Sequence, residues 1–251
     1  MCIRDSIYLV GTVSGALAVR RLDPDGNIDP TFASDGTYVA ATDDGMDIRG
    51  AEVRADGLRI LCDVRFTPCV ARLTPAGDPQ PGFGVDGVVV LDRFGPRNAR
   101  DFLLEEDRIR VLGMDGDQIQ IALLGDDGTL DTGYGVDGLV TVDAGGDFEA
   151  RKMLSDGSGG LYVAGDHSPG IGGDPIAVWV FHLDADGALI SDFGDGGKVT
   201  LDASLSDDPE LDLVFFGTMA LQAERLLVAP GLRNSGGGIA RSAGPLVALW
   251  R

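Results

Sequence analysis

One pattern occurs four times in this chain, and it limits the fold more than any other feature. Phe32, Phe83, Tyr134 and Phe193 open the phrases FASDG, FGVDG, YGVDG and FGDGG, at steps of 51, 51 and 59 residues. A glycine stands six residues before each aromatic (Gly26, Gly77, Gly128, Gly187) and another four residues after it (Gly36, Gly87, Gly138, Gly197). Leu22, Leu73, Leu124 and Leu183 hold a further matched position. A period of this length means repeated supersecondary units, each leaning on its neighbours for a buried face.

Within a unit the apolar residues alternate. Ile109 and Val111 are interleaved with Arg108 and Arg110, the period of a half-buried strand. The run IQIALLGDDG ends a further strand at an Asp-Gly turn, and GLVTVD is rich in β-branched residues. No segment shows sustained helical spacing. Four short strands in about 51 residues match the size of a propeller blade. The spacing therefore predicts an all-β chain of four-stranded antiparallel blades. A partial blade over 7–42 precedes complete blades over 48–92, 99–143 and 149–202, and a partial blade covers 211–251. Residues 7–251 read as a single domain, an open arc cut from a larger ring. The Gly-rich runs SDGSGG and HSPGIGGDP absorb the longer fourth step.

The opening hexapeptide MCIRDS, 1–6, reads as the in-frame translation of a sequencing adaptor and stands outside the fold argument. The natural start is then expected upstream, where a signal peptide would lie. No run of residues is long and apolar enough to predict a membrane-spanning helix. The formal charge of −20, from 40 acids against 20 bases, argues against nucleic acid and anionic lipid as partners. Cys62 and Cys69 flank DVRFTP. They read either as two part-buried thiols, the favoured reading, or as a disulfide across a hairpin.

RLDPDGNIDPTFASDG (21–36) resembles the bacterial delta-60 repeat, R-L-x-x-D-G-x-L-D-x-x-F-G-x-x-G. FHLDADGALISDFGDGG (181–197) and LLGDDGTLDTGYGVDG (123–138) are similar to it. EVRADGLRILCDV stands where that family carries Q-P-D-G-K-I-V-V-A-G. The resemblance covers nearly all of the chain after Ser6. It implies a β-propeller of a large secreted or cell-surface protein, with an extracellular setting and no catalytic residues. Ala76, in LTPAGDPQPGFG, departs from the usual Asp.

Two constellations invite chemistry. Asp23, Asp25, Asn27 and Asp29 alternate as oxygen ligands of calcium would, although an Asp-Gly hairpin turn explains the same residues. Arg49, Arg100 and Arg151 recur at 51-residue steps where strands are predicted to begin, with Glu210 in the fourth place. They form either an anion site at a central channel or an ion-pair ladder joining blades. The ladder is favoured, with Asp92, Asp143 and Asp202, or Asp35, Asp86 and Asp137, as the repeated partners. The recurrent aromatic reads as packing. His182 takes the place of Arg21 and Arg72 and reads as a surface residue. No G-x-S-x-G, H-E-x-x-H or paired-cysteine metal motif occurs. The expected function is a non-catalytic scaffold or binding module for a protein or glycan partner, with no cofactor. The alternatives are a polysaccharide-acting hydrolase or lyase and a purely structural spacer.

Overall fold

A computed structural model describes residues 6–40, 45–94, 99–170, 173–205, 213–222, 225–233 and 247–250. The fold is all-β. Among the described residues five sheets follow one another in chain order. The first holds β1 (Ile7–Val13), β2 (Ala16–Leu22) and β3 (Thr37–Val39). The second holds β4 (Met46–Arg54), β5 (Gly57–Val64), β6 (Thr67–Leu73) and β7 (Val88–Val90). β8 (Asp101–Leu104), β9 (Arg108–Asp115), β10 (Gln118–Gly125) and β11 (Leu139–Asp143) form the third. The fourth is β12 (Phe148–Ser155), β13 (Leu161–His167), β14 (Ala177–Leu183) and β15 (Lys198–Asp202). The fifth is β16 (Leu213–Gln222), β17 (Arg225–Arg233) and β18 (Val247–Trp250). Strands pair in sequence order within each sheet, as the repeat requires, and the pairings are antiparallel. Apart from a 3-10 turn at Ala203–Leu205, the described residues contain no helix.

The repeated phrase is a hairpin. Val85 and Val88 exchange backbone hydrogen bonds of 2.9 and 3.0 Å across Asp86 (φ 50°) and Gly87 (φ 76°). Two successive positive φ values define the type I′ turn, whose twist matches the strands it joins. Glycine suits that region, and Asp tolerates it better than most side chains do. The same two-residue turn recurs at Asp35–Gly36, Asp137–Gly138 and Gly196–Gly197.

The packing divides into two compact units, Met1–Ile109 with Leu124–Leu130, and Arg110–Leu123 with Asp131–Arg251. In the first unit Leu17 and Val19 meet Leu58, Ile60 and Ala71, so the first and second sheets share one dry interior. Phe32 lies in it and Phe83 is also buried. In the second unit Tyr162, Ala164, Val178 and Val180 pack with Val214, Leu226 and Val228 from the fifth sheet. The early glycine of the motif permits close stacking. A Cβ on Gly77 would lie 2.8 Å from the Phe32 ring, and one on Gly128 would lie 3.0 Å from Phe83.

Candidate functional site

The turn acids are occupied by their own backbone. Asp23 Oδ1 accepts from the N–H groups of Asp25 (3.0 Å) and Asn27 (2.8 Å). Asp29 accepts from the Thr31 hydroxyl at 2.6 Å, the Thr31 N–H at 2.9 Å and Arg21 Nε at 2.8 Å. The Thr31 bonds, with Arg21, hold the Asp29 carboxyl below its usual range against burial. This is the hydrogen-bonded Asp turn. Among the described residues no three His, Cys, Asp or Glu side chains converge as a metal-ligand set.

The recurrent arginines do pair with acids, but not with the expected ones. Arg49 Nε donates to Asp63 Oδ2 at 2.5 Å, and Arg151 Nε donates to Asp166 Oδ2 at 2.7 Å. Each acid also reaches into the following repeat. Asp63 Oδ1 accepts from the Ala99 N–H (2.8 Å), and Asp166 Oδ1 from the Phe216 N–H (2.5 Å). Both arginines sit at β-bulges, where the extra residue re-aims a side chain. In the third repeat Met114 holds the acid's place, and Arg100 makes other contacts. Asp143 and Asp202 cap turns through Gly145 and Ser204 instead. Asp35, Asp86 and Asp137 occupy the left-handed position of the hairpins, so backbone conformation explains their recurrence. Glu210 lies outside the described residues.

A second set of ties is buried, and it includes His182, which the sequence presents as a surface residue. Arg21 crosses the Phe32 ring at 5.0 Å and donates to the Pro75 carbonyl of the next repeat at 2.8 Å. Arg72 crosses Phe83 at 6.0 Å and donates to the equivalent carbonyl, that of Asp126. A planar guanidinium suits this use, since it stacks on an aromatic face while its edge donates several bonds. His182, in the same place, is 8% exposed, stacks on Tyr162 at 4.2 Å and bonds Asp156 at 3.1 Å. In the second repeat Arg59 grips Asp56 with two bonds of 2.9 Å, and both Arg59 and Arg72 reach Asp126. Hydrogen bonding to Arg59 brings the Asp56 pKa down to about 2. Burial pushes Asp126 up, but Arg59 and Arg72 outweigh it and hold it below the usual range.

The tip of the β5–β6 hairpin breaks the local rule. The first repeat turns on Ser14–Gly15 and the third on Gly116–Asp117, each with a glycine in positive φ. The second turns on Arg65 (φ 50°) and Phe66 (φ 70°). A bulky residue there costs on the order of 1–2 kcal/mol. Phe66 is 65% exposed, so buried packing does not repay that cost. Just below the tip, the facing residues Cys62 and Cys69 form a disulfide, with Cα atoms 4.9 Å apart. The reading of two free thiols is thereby corrected. Each strand of the register places these cysteines opposite one another, and a separation of about 5 Å lies within disulfide reach. The sequence shows Arg-Phe plainly, but its significance appears only once the other repeats reveal which positions adopt positive φ.

The first unit also holds a cleft of about 510 Å³ beside β3 and β7. Ala40, Met46, Val64 and Val88–Val90 form its walls, with the Tyr38 phenol and the Asp86 carboxylate. Burial, and then the Asp86 charge, raise the Tyr38 pKa.

No family model matches the chain, and no curated protein matches it. Solved structures do. The PQQ-bound aldose sugar dehydrogenase of Streptomyces coelicolor is 13% identical, with a TM-score of 0.50 over 98% of this chain and 75% of that one. A nidogen/laminin complex is 14% identical, with a TM-score of 0.45 over 98% of this chain and 78% of that one. The sheets of sequential antiparallel strands, together with the likeness to the sugar dehydrogenase, show a β-propeller-type fold built of antiparallel blades. Among the described residues no helix is long and apolar enough to cross a membrane.

Proposed function

We propose that the chain is a segment of a delta-60-type propeller and serves as a non-catalytic binding scaffold of a secreted or cell-surface bacterial protein. The observation that carries this reading is the Arg65–Phe66 tip. It combines left-handed backbone at a bulky residue, an exposed aromatic and a brace beneath it. Strain that a fold does not need gathers where surfaces recognise partners. Aromatic and Arg side chains carry a large share of binding energy at protein interfaces. The disulfide suits an oxidising compartment. The repeated polar residues fit the same reading, because Arg21, Arg49, Arg72 and Arg151 tie strands and repeats together.

The test is a titration of the purified chain and its Phe66→Gly variant against a panel of cell-envelope glycans and proteins. Saturable binding that weakens at least about tenfold in the variant, while the fold becomes more stable, supports a recognition tip. A panel without saturable binding leaves the spacer reading in its place.

A further inference from the structure

The cleft of the first unit breaks the repeat in one residue. Tyr38 stands where the other repeats carry Val89, Val140 and Val199. Val89 and Val140 close against the turn glycine that follows, lying within 2.6 and 2.3 Å of a Cβ built on Gly128 and Gly187. The three atoms nearest a Cβ on Gly77 belong to Phe32 and Ala33, not to Tyr38. Tyr38 lines the cleft together with Val89 and Gly128, and the space is of small-molecule size.

We propose that this cleft binds a small organic cation, an apolar body carrying an ammonium or guanidinium group. The aliphatic walls take the body. Among the described residues the polar side chains of the lining are Tyr38 and Asp86, a phenol and a carboxylate. Asp86 is exposed, and its charge acts on the Tyr38 phenol, so the carboxylate and the ring offer their attraction to one cation together. The Tyr38 ring supplies a second attraction for the same charge through its π face. The net charge of −20 enriches cations around the protein and repels anions. The elevated Tyr38 pKa fits a phenol held beside a carboxylate in a partly dry cleft. This assignment does not rest on the scaffold reading: it is tested at Tyr38 and Asp86, whereas that reading is tested at Phe66.

Calorimetric titration with phenethylammonium, 2-phenylethanol and 3-phenylpropanoate compares cation, neutral body and anion on one scaffold. The ammonium should bind more tightly than the alcohol, and the anion should bind least. Asp86→Asn keeps a side chain that tolerates left-handed backbone. It should lower the ammonium-to-alcohol affinity ratio about two- to fivefold, the range of a partly exposed ion pair. Tyr38→Val installs the residue of the other repeats and should weaken the ammonium by a similar factor. Equal affinity for ammonium and alcohol, a ratio unmoved by Asp86→Asn, or no binding of any probe overturns the assignment.

Discussion

The first and second repeats present equivalent hairpins, β1–β2 and β5–β6, and they solve them differently. The first uses Ser14–Gly15 above the facing pair Gly11 and Ala18. The second uses Arg65–Phe66 above the Cys62–Cys69 disulfide. The first tip places one side-chain-bearing residue in positive φ, the small Ser14 (φ 52°), and lets Gly15 take the other place without a Cβ penalty, so it carries less strain. The second accepts strain at two side-chain-bearing residues, and a covalent link ties its strands beneath them. An unstrained loop is the economical solution when nothing selects the side chains. On the proposed reading, the second tip gives up local stability for the side chains it displays.

That contrast can be broken at several points. Replacing both cysteines with alanine, or reducing the bond, should lower the unfolding free energy by about 2–3 kcal/mol for a loop this short. Denaturant titration of oxidised and reduced protein reads the effect, and an unchanged midpoint would mean the brace is idle. Gly15→Phe builds the aromatic tip into the first repeat, where no disulfide supports it. It should cost roughly 1–2 kcal/mol in the same assay. Phe66→Gly runs the other way and should raise stability by about 1 kcal/mol, with a higher thermal midpoint. A loss of stability there would show that Phe66 packs for the fold and not for a partner.

The smallest effect is electrostatic and confined to the second repeat. Asp56, with its pKa near 2, is depressed from an unfolded value of about 3.9. Its contribution is therefore present above pH 4 and fades as pH falls from about 4 to about 2. Its side chain is 49% exposed, so screening keeps the contribution below about 1 kcal/mol. Asp56→Asn should flatten the acid limb of a stability-against-pH curve by that amount.

Much of the fold was legible in the sequence, because its signals are short-range. Alternation in RIRVLGM and the Asp-Gly pairs each act within a few residues, and they specify strand and turn without reference to distant chain. The site was less legible. Arg49 finds Asp63 rather than Asp92, and Arg72 finds a carbonyl at Asp126, 54 residues away. His182 reads as a polar surface residue until Tyr162 and Asp156 enclose it.

By itself, then, the sequence determined the repeat, the order of strands and the Asp-Gly turns that end them. Tertiary structure decided which acid meets which arginine, whether two cysteines face one another and where Tyr38 leaves a cleft. The division has a physical cause. Backbone preference is a property of a few adjacent residues, whereas a partner, a burial or a void depends on which distant surface arrives opposite.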